Sequence, residues 1–124
     1  MKRDLDLIRA LMLEAEAQPA GRQFHGGVFR REGRDATELA EHLVLLIEHR
    51  LLDARVYSSF DCLAPDHIQI NRVTWKGHEF LDAVREDTIW KKVKVRLADV
   101  GGNATVEVVT QLGAAITKQM LGLG

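Results

Sequence analysis

From Leu5 onward the chain repeats apolar side chains at helical spacing: Leu5, Ile8, Met12 and Ala15 share one face, with Leu7 and Leu11 beside them. The pattern predicts a helix over 4–18 whose apolar stripe is so wide that the rest of the domain or a second subunit must cover it. Pro19, Ala20 and Gly21 end it. Residues 22–34 hold Gly26, Gly27 and Gly33 with Phe24, Val28 and Phe29 between them, which reads as a loop with at most a short strand. Asp35 as N-cap with Glu38 three residues on has the form of a capping box. It opens a second helix to about residue 50. Leu39, Ala40, Leu43, Val44, Leu46 and Ile47 cover more than one face of it, as in a central core helix.

Leu51 and Leu52 then lead into an extended segment over 54–60. A turn over 61–66 contains Pro65, and 67–73 alternates imperfectly as the return strand of a hairpin, the wing. Thr74 is placed to cap a third helix that buries Phe80, Leu81 and Val84, with Gly77 a tolerable cost in its first turn. Asp87 and Thr88 predict a break and a new helix start. Beyond it Ile89, Trp90, Val93, Leu97 and Val100 form one stripe, Lys91 and Lys94 point away, and Lys92 and Arg96 flank it. Gly101, Gly102 and Asn103 close that helix. The last, over 104–121, carries Val106, Val109, Leu112, Ile116 and Met120 in register. Trp75 and Trp90 both stand at helix starts and are expected to fill the core.

Helix, hairpin, helix in the middle third predicts a mainly α chain with a small β-hairpin, a winged-helix-type domain extended by C-terminal helices. One domain is expected over 1–124, with a winged-helix core over 1–86 and a helical extension over 87–124. A chain of 124 residues, 46% apolar and 28% charged, suits one folded domain. The single cysteine, Cys62, allows neither an internal disulfide nor a multi-thiol zinc site, so a cytoplasmic home is expected. Charges interrupt the apolar residues after Lys2 and Arg3, so neither a secretory signal nor a membrane span is expected.

The opening MKRDLDLIR, the block AEHLVLLIEHRLLDARV and the run TWKGHEFLDAVREDTIWKKVK together resemble the family of bacterial and prophage proteins called domain of unknown function 2513. The matching positions are Arg3, Asp4, Asp6, His42, Thr74, Trp75, Gly77, His78, Phe80, Leu81, Trp90 and Lys91. The resemblance implies a winged-helix-like fold and an association with phage or mobile elements. It implies no activity. One departure is Arg50, where the resemblance leads one to expect a glycine before the Leu51–Leu52 exit.

Seventeen basic against eighteen acidic residues argue mildly against bulk electrostatic binding of nucleic acid. The second helix offers Asp35, Glu38, Glu41 and Glu48 against Arg50, which disfavours docking in a major groove. The candidate phosphate contacts are Arg22, Arg30, Arg31 and Arg34 in the loop, Arg55 and Arg72 on the wing, and Lys91, Lys92, Lys94 and Arg96 on the fourth helix. A lysine run on a helix is otherwise a solvated outer face. His42 and His49 lie two turns apart, about 10.5 Å along the axis, too far to share one ion. His42 is expected to bond a backbone carbonyl or pack at the core edge. His78 and Asp82 can form a surface pair, and no activating motif surrounds Ser58, Ser59 and Cys62.

No catalytic residue, metal or cofactor is therefore expected. Two functions of different class remain: a small DNA-binding regulator, or a protein-interaction module such as a phage accessory or counter-defence factor. The wide faces of the first and last helices, with Gly113 permitting a close crossing, favour a homodimer.

Overall fold

Helix α1 (Leu5–Ala17) starts where Asp4 takes the N-cap, its carboxylate accepting the amide of Leu7 at 3.2 Å. The computed structural model describes residues 1–57 and 63–124. After α1 come β1 (Phe24–His25), a 3-10 turn (Gly26–Phe29), α2 (Ala36–Glu48), β2 (Leu52–Val56), a second 3-10 turn (Pro65–His67) and β3 (Ile68–Val73). Three helices follow: α3 (Trp75–Val84), α4 (Asp87–Ala98) and α5 (Val106–Met120). The chain divides into two compact units, Met1–Gly77 and His78–Gly124.

In the first unit the three strands form one antiparallel sheet in the order β1-β3-β2. Helix, strand, turn, helix and hairpin in this succession make the unit winged-helix-like, with a 3-10 turn where a fuller second helix would stand. The hairpin pairs Val56 with Ile68 and Leu52 with Val73, and an irregularity at Asp53/Ala54 leaves Asn71 without an opposite residue. The strand begins at Leu52, two residues before the expected 54. Residues 58–62, with part of the expected strand and turn and the Ser58, Ser59 and Cys62 cluster, lie outside the described residues.

One face of the sheet contributes Leu52, Ile68 and Ile70 to the core, and α1 and α2 bury Ile8, Leu11, Met12, Leu39, Leu43 and Leu46. Each such side chain contributes about 1.5–3 kcal/mol relative to exposure. The stripe of α1 is buried in the single chain across all of Leu5, Leu7, Ile8, Leu11, Met12 and Ala15. The short strand β1 is held by the edge-to-face contact of Phe24 and Phe29, centroids 5.8 Å apart.

Where α2 meets the hairpin, Arg50 has φ 63°, the left-handed conformation of a helix C-cap. The Leu51 amide reaches back to the Leu46 carbonyl at 2.9 Å and the Arg50 amide to Ile47 at 3.0 Å. The departure noted at Arg50 thus leaves the glycine-type turn in place, on a side chain that pays for its Cβ. Thr74 fastens this turn. Its hydroxyl donates to the Arg50 carbonyl at 2.6 Å and accepts the Gly77 amide at 3.0 Å, while its own amide donates to the Leu51 carbonyl at 3.1 Å. Gly77 lies so close beneath that a Cβ there would collide with the Leu51 carbonyl oxygen and lie 2.8 Å from Val73 Cγ1 and 2.9 Å from Met12 Cε. The glycine is therefore a packing requirement and not merely a tolerable cost.

A second tie runs between the helices. His42, 2% exposed, bonds the Glu38 carbonyl through Nδ1 at 2.7 Å, and its Nε2 accepts the Asp4 amide at 3.0 Å. That pattern is met by the neutral ring with its hydrogen on Nδ1. Asp4 in turn takes Arg34 at 2.7 Å. Partial burial works to raise the Asp4 carboxyl, but the hydrogen bond and charge of Arg34 and the amides of Leu7 and Asp6 outweigh it and hold the group below its ordinary 3.8.

In the second unit Phe80, Leu81, Val84, Ile89, Trp90, Val93, Leu97, Val106, Val109 and Ile116 are buried. Gly113 admits the carbonyl of Ala83, which a Cβ would strike, so its close crossing is made within the chain. The start of α4 differs from expectation: Glu86 occupies the cap position without a capping side-chain bond, and Asp87 lies in the first turn. Val100, 70% exposed, lies past the helix end, and on α5 Gly113 takes the buried position that the stripe assigned to neighbouring Leu112. Met120, in the last turn, is exposed.

Thr74→Val is expected to cost about 2 kcal/mol, since it removes a helix cap and leaves the Arg50 carbonyl without its donor. Gly77→Ala is expected to destabilise by roughly 3 kcal/mol, although helix propensity alone would have it stabilise. Arg50→Gly is expected to add about 1 kcal/mol. Urea midpoints at unchanged slope measure all three. Because the Asp4 carboxyl is depressed on folding, its stabilisation is present above its unfolded value and lost as pH falls through the lower folded one. Asp4→Asn should therefore be less stable at neutral pH and lose less stability than the parent from about pH 5 downward, measured as midpoint against pH.

Candidate nucleic-acid interface

Three of the four loop arginines are engaged in fastening the loop. Arg34 bonds Asp4 at the start of α1, Arg31 bonds Glu14 near its end and the Phe29 carbonyl, and Arg30 bonds Asp66 at 2.7 Å. The connection between β1 and α2 is thereby clamped along α1 and onto the second 3-10 turn. Each surface pair is worth at most about 1 kcal/mol, but each also cancels a cation that a phosphate would need. Arg22 stands exposed at the turn after α1.

The outer face of the wing is built by alternation. Asp53, Arg55 and the following Tyr57 turn outward from β2, and Arg55 lies opposite Gln69 of β3, which itself lies opposite His25 of β1. A polar ladder crosses all three strands: Tyr57 donates to Gln69 at 2.6 Å, and Gln69 donates to Gln23. Arg72 faces Asp53 at 3.7 Å with both side chains mostly exposed, a loose pair that solvent screens. Arg55 is exposed on this face.

In the second unit α4 buries Ile89, Trp90, Val93 and Leu97 and exposes Lys91, Lys92, Lys94 and Arg96. Arg96 also reaches Gln119 at 3.4 Å. The ten candidate cations thus fall into a clamped loop group, an outer wing group and a helical group.

The unburied face of α2 is acidic. Glu38, Glu41 and Glu48 are all exposed along it, so this helix repels a phosphate backbone. Asp82 bonds Arg85 at 3.0 Å. Among the described residues no group of three or more His, Cys, Asp or Glu could hold a metal ion, and no helix is long and apolar enough to cross a membrane.

Trp90 is buried at 4% exposure, but Trp75 is 81% exposed, contrary to the expectation that it fills the core. The reason is angular. At about 100° per residue, Phe80, Leu81 and Val84 define a face nearly opposite Trp75, so the indole leaves the core side of α3. That signal was present in the spacing and was masked by the apolar character of tryptophan. Trp75 follows Thr74, whose hydroxyl donates to the Arg50 carbonyl, so an exposed indole stands at the base of the wing.

A family model described as Hypothetical protein (DUF2513) matches residues 2–103, from before α1 to the end of the loop glycines after α4. An uncharacterized protein of Haemophilus influenzae is 32% identical over 123 residues, covering 98% of this chain and 99% of its own, so the likeness extends through α5. No solved structure matches. With a family match over most of its length and a full-length relative, the chain belongs to the DUF2513 family.

Proposed function

We propose that this protein is a non-enzymatic winged-helix regulator of phage or mobile-element origin that binds double-stranded DNA through phosphate contacts. The observation that carries this reading is the set of exposed basic side chains on the wing and on α4. Arg55 and Arg72 lie on the outer wing face, and Lys91, Lys92, Lys94 and Arg96 lie on the exposed side of α4. Wing contacts of this kind position a protein on the backbone without reading sequence. Recognition through α2 is not part of the proposal, because its outward carboxylates oppose the phosphates. The clamped Arg30, Arg31 and Arg34 serve the fold.

A second reading, a protein-interaction module, is favoured by one specific observation. Trp75 is the most exposed large apolar side chain of the described residues, and exposed tryptophans are typical anchors of protein interfaces.

Fluorescence anisotropy with a random-sequence duplex separates the two. The DNA reading expects binding at low salt, with log K falling against log salt at a slope of roughly −3 to −4. Lys91→Glu and Lys92→Glu should each weaken binding and flatten that slope by about 1. Arg31→Ala should leave the slope unchanged. Absence of duplex binding at the lowest salt defeats the DNA reading. A partner retained by the parent and lost with Trp75→Ala then supports the second.

A further inference from the structure

Strand β2 is an outer strand of the sheet, so one of its edges is taken by no other described strand. Two bonds at the ends of the hairpin identify which backbone groups lie on that edge. Tyr57 donates its amide to His67 at 2.6 Å, and Thr74 donates to the carbonyl of Leu51 at 3.1 Å. Antiparallel bonding alternates along a strand, so the odd residues 51 to 57 turn towards β3, and Leu52, Ala54 and Val56 turn their N–H and C=O outward. The irregularity in the ladder leaves this alternation intact, because the extra residue, Asn71, is on β3. Leu52 is buried, which leaves Ala54 and Val56 as the open part of the edge.

Open edges are ordinarily blunted by like charges, proline or an added element. This one carries neither proline nor a single sign of charge. It reads Asp53, Ala54, Arg55, with acid and base on the same face, either side of the outward-turned Ala54.

We propose that this edge pairs with the same edge of a second copy of the chain, antiparallel, about a two-fold axis at Ala54. In that register Asp53 of each copy lies opposite Arg55 of the other, twice over, and the outward groups of Ala54 bond each other. The neighbouring registers are rejected by charge: an axis at Arg55 sets arginine against arginine, and one at Asp53 sets aspartate against aspartate. The edge is closed at Leu52, so the backbone bonds of the pairing are those between the two Ala54 residues, flanked by the two Asp53–Arg55 pairs. The product is one continuous sheet with three strands from each copy, an isologous closed dimer. The inference does not depend on DNA binding.

Sedimentation equilibrium of the full chain over a range of concentrations tests it, with circular dichroism confirming that each variant is folded. The parent should pass from the mass of one chain to that of two. Asp53→Arg turns both facing pairs into arginine pairs and should weaken association by roughly tenfold or more. Arg55→Asp should do the same, and Asp53→Arg with Arg55→Asp in one chain should restore it. Ala54→Pro removes an amide hydrogen that faces away from β3, so it should abolish the dimer and spare the fold. A parent that stays monomeric at every concentration overturns the proposal, as does a dimer indifferent to the charge reversals. If Ala54→Pro fails to fold, the reversal and its rescue decide alone.

Discussion

The first unit depends on the carbonyls at the exit of α2 being met at the moment the chain reverses into the wing. A helix that ends in a left-handed residue leaves carbonyls pointing out of its last turn. Here those of Arg50 and Leu51 are taken by Thr74 from the far end of the hairpin. One residue thus closes the sheet, caps α3 and holds the C-terminus of α2. Gly77 follows from the same contact, because only a residue without a Cβ can lie against the Leu51 carbonyl once Thr74 has drawn the two segments together. The Arg50 turn is strained locally and stabilised globally. Its cost is offset by contacts made 24 residues later in the chain.

Charge does structural duty before it does anything else. Asp4 accepts the first turn of α1 and Arg34 with its carboxylate, and its amide holds His42 of α2. Arg31 and Arg30 secure the rest of the loop. A count of basic residues therefore overstates the field available to a polyanion, since partners within hydrogen-bond distance cancel most of the loop. The exposed basic side chains outside the loop stand on the wing and on α4, both of which follow the acidic α2 in sequence. The outward carboxylates of α2 oppose the entry of that helix into a groove.

All five helices were legible from apolar spacing, and of the caps read from the sequence Asp35 and Thr74 do cap their helices, whereas α4 starts without a capping side chain. The hairpin was legible from alternation around Pro65, although β2 starts earlier because pairing with Val73 draws Leu52 into the ladder. The two-residue strand β1 was barely legible: Phe24–His25 is a strand only because β3 is beside it. The same limit applies to the candidate interface. That Arg30, Arg31 and Arg34 have acidic partners is invisible at sequence separations of 17 to 36, whereas the outward side of α4 and the acidic side of α2 follow from periodicity alone.

Periodicity and capping are local properties, so the sequence by itself determined where helices and a hairpin form, which faces are apolar and that α2 presents carboxylates. Tertiary structure decided whatever depends on two distant segments meeting. It made Gly77 and Gly113 obligatory by bringing carbonyls against them, and it paired three arginines. It also left β2 at the edge of the sheet. Those outcomes come from close approach between backbones, which no spacing of residue types along one segment encodes.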